Sequence, residues 1–148
     1  MKISGHFSLE ELCFSETAAR NALENTPDGT TTVNLERLAA FMEKIRTLLG
    51  SRPIVVHSGY RSPRLNKLVG GVITSAHCRG LACDFVCPTF GEPVEVALAI
   101  VRSELEYDQL ILEDGWVHVS LPEEALIPRR ESLTKASREA TYQPGIKW

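Results

Sequence analysis

The stretch Thr74–Phe85, TSAHCRGLACDF, holds His77, Cys78, Cys83 and Asp84 among small residues. Further along, WVHVS carries His118. Glu113 and Asp114 stand just before that segment, and Arg61 lies upstream in SGYRSP. Imidazole nitrogen and carboxylate oxygen are ordinary zinc ligands. Three of them with a fourth position open suit a catalytic ion rather than a structural one. His77, Asp84 and His118 form such a set. Zinc in that setting acidifies a water, which needs a base for its proton and a cation beside the developing oxyanion. Glu113 is the candidate base, acting also as the acid, with Asp114 as second choice. Arg61 is the candidate cation. A structural zinc using His77 or Cys78 with Cys83 and Cys87 fits poorly, because positions four apart in a strand lie about 13 Å from each other.

The joint site depends on the elements that carry these residues. Leu81–Cys87 reads as a strand, so Ala82, Asp84 and Val86 point one way and Leu81, Cys83, Phe85 and Cys87 the other. Asp84 is the one charge in an apolar run, and a buried carboxylate needs a cation or several donors. Gly80 lets the preceding loop fold His77 back toward it. Asp108–Leu112 and Trp116–Leu121 read as strands joined through Asp114-Gly115, a favoured hairpin pair. Val117 and Val119 then face the core, leaving Trp116, His118 and Ser120 on the other side. With a two-residue loop, Glu113 faces Trp116 and sits diagonal to His118, about 7 Å between Cβ atoms. A three-residue loop would favour Asp114. Arg61 emerges at the end of a β-branched strand, Pro53–Gly59. Singly, each residue has a plainer reading: His118 as a half-buried structural histidine, Asp84 as a turn cap or partner of Arg79 or Arg61, Arg61 as a surface ion-pair partner. Agreement of the faces is what favours the site. His6 and His57 have no partners in this pattern and read as structural.

Elsewhere, Ser8 and Glu11 match a capping box ahead of a short helix. Asn25–Asn34 is turn-rich and predicts a surface loop. Leu35, Leu38, Ala39, Met42, Ile45 and Leu49 fall on one helical face that Gly50 ends. Ser62-Pro63 opens a short helix reaching Gly70-Gly71. Glu92-Pro93 opens another, with Val94, Ala97, Leu98 and Val101 on one side. The tail 128–148 predicts irregular chain, with Tyr142 or Trp148 tucked onto the body.

The 148 residues suit a single domain, 1–148, with its chemical motifs in 58–120. A composition of 43% hydrophobic and 24% charged residues is that of an ordinary globular protein. The net charge of -3 argues against nucleic acid as a partner. No apolar run approaches the roughly 20 residues that span a bilayer, and no signal-peptide core is visible. The expectation is a product that stays in the cytoplasm of its maker, with Cys13, Cys78, Cys83 and Cys87 as reduced, mostly buried thiols.

The ordered motifs carry a resemblance. SAHCRGLACD (Ser75–Asp84) fits the pattern SxHxxGxAxD, with SGYRSPRLN upstream and WVHVS downstream. Together with HFSLEEL and NTPDG near the N-terminus, these segments resemble the M15 zinc peptidases to about Leu121. Those are D-Ala-D-Ala carboxypeptidases and peptidoglycan endopeptidases, and the likeness is greatest to the small phage or prophage endolysin branch. The resemblance implies an α+β fold of the hedgehog and D-Ala-D-Ala-peptidase type, in which a small antiparallel sheet packed by helices carries one Zn2+. It implies His77, Asp84 and His118 as ligands, Arg61 as a substrate-contacting arginine, and Ser75 as a hydrogen-bonding support; Trp116 joins Ser75 among the substrate and support residues. Many members carry an acidic base three residues before the last histidine. Here that position is Gly115, and the small phage branch points instead to Glu113. The implied activity is hydrolysis of a peptide bond in peptidoglycan stem peptides by a monomer that reaches the wall after release, by way of a holin, or on a virion. The alternative is an inactive zinc-containing wall-binding or virion module.

Overall fold

The computed structural model describes residues 1–147. Three helices come first: α1 (Leu9–Cys13), α2 (Glu16–Arg20) and α3 (Gly29–Leu48). Ser8 caps α1 by accepting from the Glu11 amide at 3.0 Å. Ser15 caps α2, a helix with no counterpart in the sequence reading. Helix α3 begins inside the segment expected to be loop. Asp28 accepts from the Thr31 amide at 2.8 Å, which starts the helix six residues before Leu35. The cap outweighs three β-branched threonines because it satisfies an amide at the helix start. Leu35, Leu38, Ala39, Met42 and Ile45 are fully buried along α3, as the spacing predicts.

After these come β1 (Val55–Ser58), α4 (Pro63–Leu68), a single 3-10 turn (Ala76–Arg79), β2 (Ala82–Val86), α5 (Pro93–Val101), β3 (Gln109–Leu112), β4 (Val117–Ser120), β5 (Glu131–Thr134) and β6 (Gln143–Pro144). The class is α+β. One mostly antiparallel sheet runs in the order β1-β2-β4-β3-β5-β6. Its core face carries Cys83, Phe85, Leu110, Leu112, Val117 and Val119, packed with α3 and α5. The alternation of β2 is as expected, with Cys83 and Phe85 inward and Asp84 on the opposite face. Helix α5 is turned a little from its expected setting: Ala97 is buried and Val94 and Val101 pack partly buried against the core as expected, but Val96 and Ile100 complete the buried face and Leu98 lies off it.

The tail is a larger correction. Residues expected to be irregular supply β5, which pairs in parallel with β3, and β6, which pairs antiparallel with β5. The return path from β4 is fastened by polar contacts. Arg129 pairs with Asp108 at 2.9 Å, and the Arg130 guanidinium donates to the Leu105 and Ser103 carbonyls while lying 4.8 Å over the Tyr107 ring. A polar strand such as ESLT has no hydrophobic signature; it forms because β3 offers an open edge. Tyr142 remains 52% exposed rather than tucked away, and Trp148 lies outside the described residues. Among the described residues no helix is long and apolar enough to cross a membrane.

Candidate active site

The sheet face away from the core collects the residues singled out by type. Pairing aligns Asp84 on β2 with His118 on β4, and His118 with Ile111 on β3. Leu112 pairs with Val117, and the Glu113 amide donates to the Trp116 carbonyl at 3.0 Å, so the loop holds two residues, Asp114 and Gly115. Glu113 therefore lies on the face of His118, two pairs further along.

His77 enters from outside the sheet. Ser75 caps the 3-10 turn, its Oγ accepting from the His77 amide at 3.2 Å. Gly80 ends that turn at φ +72°, and a Cβ there would lie 2.9 Å from the Thr31 carbonyl oxygen. Only glycine takes that backbone without strain, and the reversal lets the chain enter β2 with Asp84 facing His77. On the other side a bulge in β1 leaves His57 unpaired between Val56 and Ser58 and bends the chain toward the site. His57 is exposed, whereas His6 bonds through Nδ1 to Glu43 at 2.7 Å. The bent segment runs so close to α1 that a Cβ on Gly59 would strike the Leu12 carbonyl. It also brings the Gly59 carbonyl to the His77 ring, a contact that the sequence reading missed. Asn25 ties this segment down by accepting from the Ser62 amide and donating to the Tyr60 carbonyl.

The His77 Nδ1–H donates to the Gly59 carbonyl at 2.7 Å, which fixes the ring. Its Nε2 faces Asp84 Oδ1 at 3.2 Å, and His118 Nδ1 faces the same oxygen at 2.8 Å. The imidazoles stand edge to face with centroids 5.2 Å apart. Burial alone would raise the Asp84 carboxyl, but the adjoining His77 ring and the hydrogen bonds with both imidazoles outweigh burial and hold it far below the carboxylate range. With Nδ1–H committed to Gly59, a neutral His77 turns a lone pair toward a carboxylate oxygen. Two acceptors that close need a proton or a metal cation between them.

A divalent metal fits this requirement. One ligand atom from each of His77, Asp84 and His118 lies within 4.8 Å of the others. A tetrahedral zinc with bonds of about 2.0–2.1 Å sets its ligands about 3.3 Å apart, near the 2.8 and 3.2 Å measured to Asp84. The Gly59 carbonyl holds His77 in the way outer groups commonly orient a metal-binding histidine. The cysteines take no part: all four are free thiols, and Cys83 and Cys87 point into the core.

The triad opens onto a cleft of about 660 Å³ whose lining includes Arg61, Ser75, Glu113 and Trp116. Arg61 is held by its own amide, which donates to the His77 carbonyl at 3.1 Å, and its Nε is buried without a partner. Trp116 Nε1 is likewise buried and unpartnered. Burial raises the Glu113 carboxyl and the Asp84 charge adds to this, while His118, Trp116 and Lys135 draw it back. Asp114 is exposed and borders a neighbouring hollow rather than the main cleft. The arrangement thus joins a metal-ready triad, a half-buried carboxylate and a guanidinium with a spare donor.

The family model described as Peptidase M15 matches residues 5–120. No curated protein matches the chain.

Proposed function

The chain belongs to the Peptidase M15 family, and on that premise we propose that it is a zinc peptidase that hydrolyses a peptide bond in bacterial peptidoglycan stem peptides, as a D,D-carboxypeptidase or an endopeptidase. The observation that carries the reading is the convergence of His77, Asp84 and His118 on one point, with Glu113 on the same sheet face.

Those three residues would hold the ion. When bound, zinc supplies a Lewis acid that polarises a carbonyl and brings the pKa of a water near 7. This chain's own groups do the rest. Asp84 supplies the negative charge of the ligand set, and the Gly59 carbonyl keeps His77 Nε2 aimed inward. Glu113 takes the proton of the attacking water at its carboxylate and passes it to the leaving amine. A carboxyl set above its usual range by burial is better matched to both halves of that transfer than a fully solvated one. Arg61, with an unused Nε–H, holds the oxyanion or a substrate carboxylate. Ser75 positions His77 through the turn it caps, and Trp116 offers an indole N–H and a flat wall to the peptide. The exposure of Asp114, away from the main cleft, supports Glu113 as the base.

The test is hydrolysis of purified peptidoglycan and of defined muropeptides, with products read by mass spectrometry. Chelation should abolish release and zinc should restore it. Release unaffected by chelation would rule out the metal mechanism.

A further inference from the structure

The family match stops at residue 120, yet the cleft does not. Part of its wall comes from the C-terminal segment, including Lys135. Parallel pairing sets Ile111 beside Leu133 and Leu112 beside Thr134, so the next pair in register is Glu113 with Lys135. The Lys135 amide donates to the Leu112 carbonyl at 2.8 Å, which holds that register one residue past the strand. Partners in a parallel pair share a face, so Lys135 stands on the face of Glu113, Ile111 and His118.

Most other charges bordering the cleft are already matched. Arg79 pairs with Glu123 at 2.7 Å, Arg129 pairs with Asp108 at 2.9 Å, and Asp84 is taken by the histidines. Among the described residues, Arg61 and Lys135 line the cleft with no ion pair. They sit on opposite flanks, Arg61 past the end of β1 and Lys135 past the end of β5. The Lys135 ammonium instead rests 4.8 Å from the centre of the Tyr142 ring, a contact that steadies a cation without neutralising it.

We propose that Lys135 is a second anion-recognising side chain of this cleft, selecting peptides that carry a carboxylate two or three residues from the scissile bond, on the flank away from Arg61. The inference rests on the peptidase reading above. The spacing follows from the sheet. Two strand separations and two residues of rise put the Lys135 backbone about 12 Å from that of His118. An extended peptide covers this in three or four residues, and the lysine stem reaches back over part of it.

The experiment compares two synthetic stem peptides, identical except that the carboxylate at that distance is free in one and a carboxamide in the other. The zinc-loaded wild type, K135A, K135Q and K135R are each measured for kcat/KM, metal content and melting temperature. The wild type should prefer the free acid by about tenfold, the scale of one charge-assisted contact. K135A and K135Q should lose that preference and K135R should keep it; the glutamine variant preserves most of the stem if the alanine variant folds poorly. A preference that survives in K135Q overturns the proposal. An equal fall on both peptides also overturns it, because Lys135 would then be serving Glu113 rather than substrate. A wild type that cleaves neither peptide overturns the peptidase reading itself and this inference with it.

Discussion

Glu113→Gln separates proton transfer from metal binding and from folding. Glu113 lies two pairs beyond His118, about 7 Å away on the diagonal, and it is not among the three residues whose donor atoms gather at one point. The variant should therefore hold zinc as the wild type does. Its effect on rate is the loss of a general base and acid, worth about 10²–10⁴-fold, or about 3–5 kcal/mol of barrier. Its effect on stability should have the opposite sign to most substitutions at a functional cleft. The folded protein raises the Glu113 carboxyl above 4.5, chiefly by burial and then by the Asp84 charge. A raised pKa means that the fold favours the protonated form. The stabilisation is complete below the unfolded pKa and is lost as pH rises through the folded one, so at pH 7 the ionised carboxylate is a burden. Among the described residues its side chain makes no ion pair that glutamine would break. The metal-free variant should melt at or above the wild-type temperature at pH 7, with the difference vanishing near pH 4. The assays are muropeptide cleavage followed by chromatography, zinc content by elemental analysis, and thermal melts across that pH range. Retention of more than about a tenth of the wild-type rate would refute Glu113 as the base, and loss of zinc would refute the geometry.

Gly59→Ala drives a methyl into the Leu12 carbonyl and displaces the oxygen that orients His77; we expect a loss of about 1–3 kcal/mol in chemical unfolding together with a weaker zinc affinity in chelator competition. In the metal-free protein, the low Asp84 pKa contributes stability that is present above the unfolded value near 4 and drains away as pH falls below it. Denaturation midpoints of wild type and Asp84→Asn should accordingly converge toward pH 2, and parallel curves would contradict the sign. Burial lifts the Cys13 thiol to about 11 and raises Cys78, Cys87 and, furthest, Cys83. Iodoacetamide at pH 7 should label the native protein slowly and leave Cys83 unmodified until denaturant is added; rapid labelling of Cys83, read by peptide mapping, would contradict its burial.

Much of the candidate site was legible because it is written in period two. The alternation in LACDFVC isolates Asp84 from a core-facing row, and the alternation in WVHVS isolates His118 in the same way. Both arguments need only the neighbouring residues. His77 was legible as a type near a flexible Gly80, but the contact that aims its ring comes from the Gly59 carbonyl. A backbone oxygen carries no sequence signal of its own. The start of α3 was missed because the Asp28 cap competes with three threonines, and local propensity favoured the wrong side. The rotation of α5 escaped for a different reason: its residues are apolar nearly all round, so spacing does not select a face.

The amino-acid order by itself determined the α+β class, the strands that carry Asp84 and His118, and the faces these residues occupy; it left open whether the hairpin loop holds two residues or three, and so the choice between Glu113 and Asp114. Tertiary structure alone decided that side-chain atoms of His77, Asp84 and His118 meet, that the hairpin loop holds two residues and puts Glu113 beside them, that Arg61 and Lys135 line the same cleft with no ion pair among the described residues, and that the tail completes the sheet. The physical reason is range. Side-chain alternation and capping act over two to four residues and can be read in a line of text. The joining of β5 to β3, the bulge beside Asp84 and the neutralisation of one cation rather than another depend on partners far apart in the chain, which only the folded sheet brings within bonding distance.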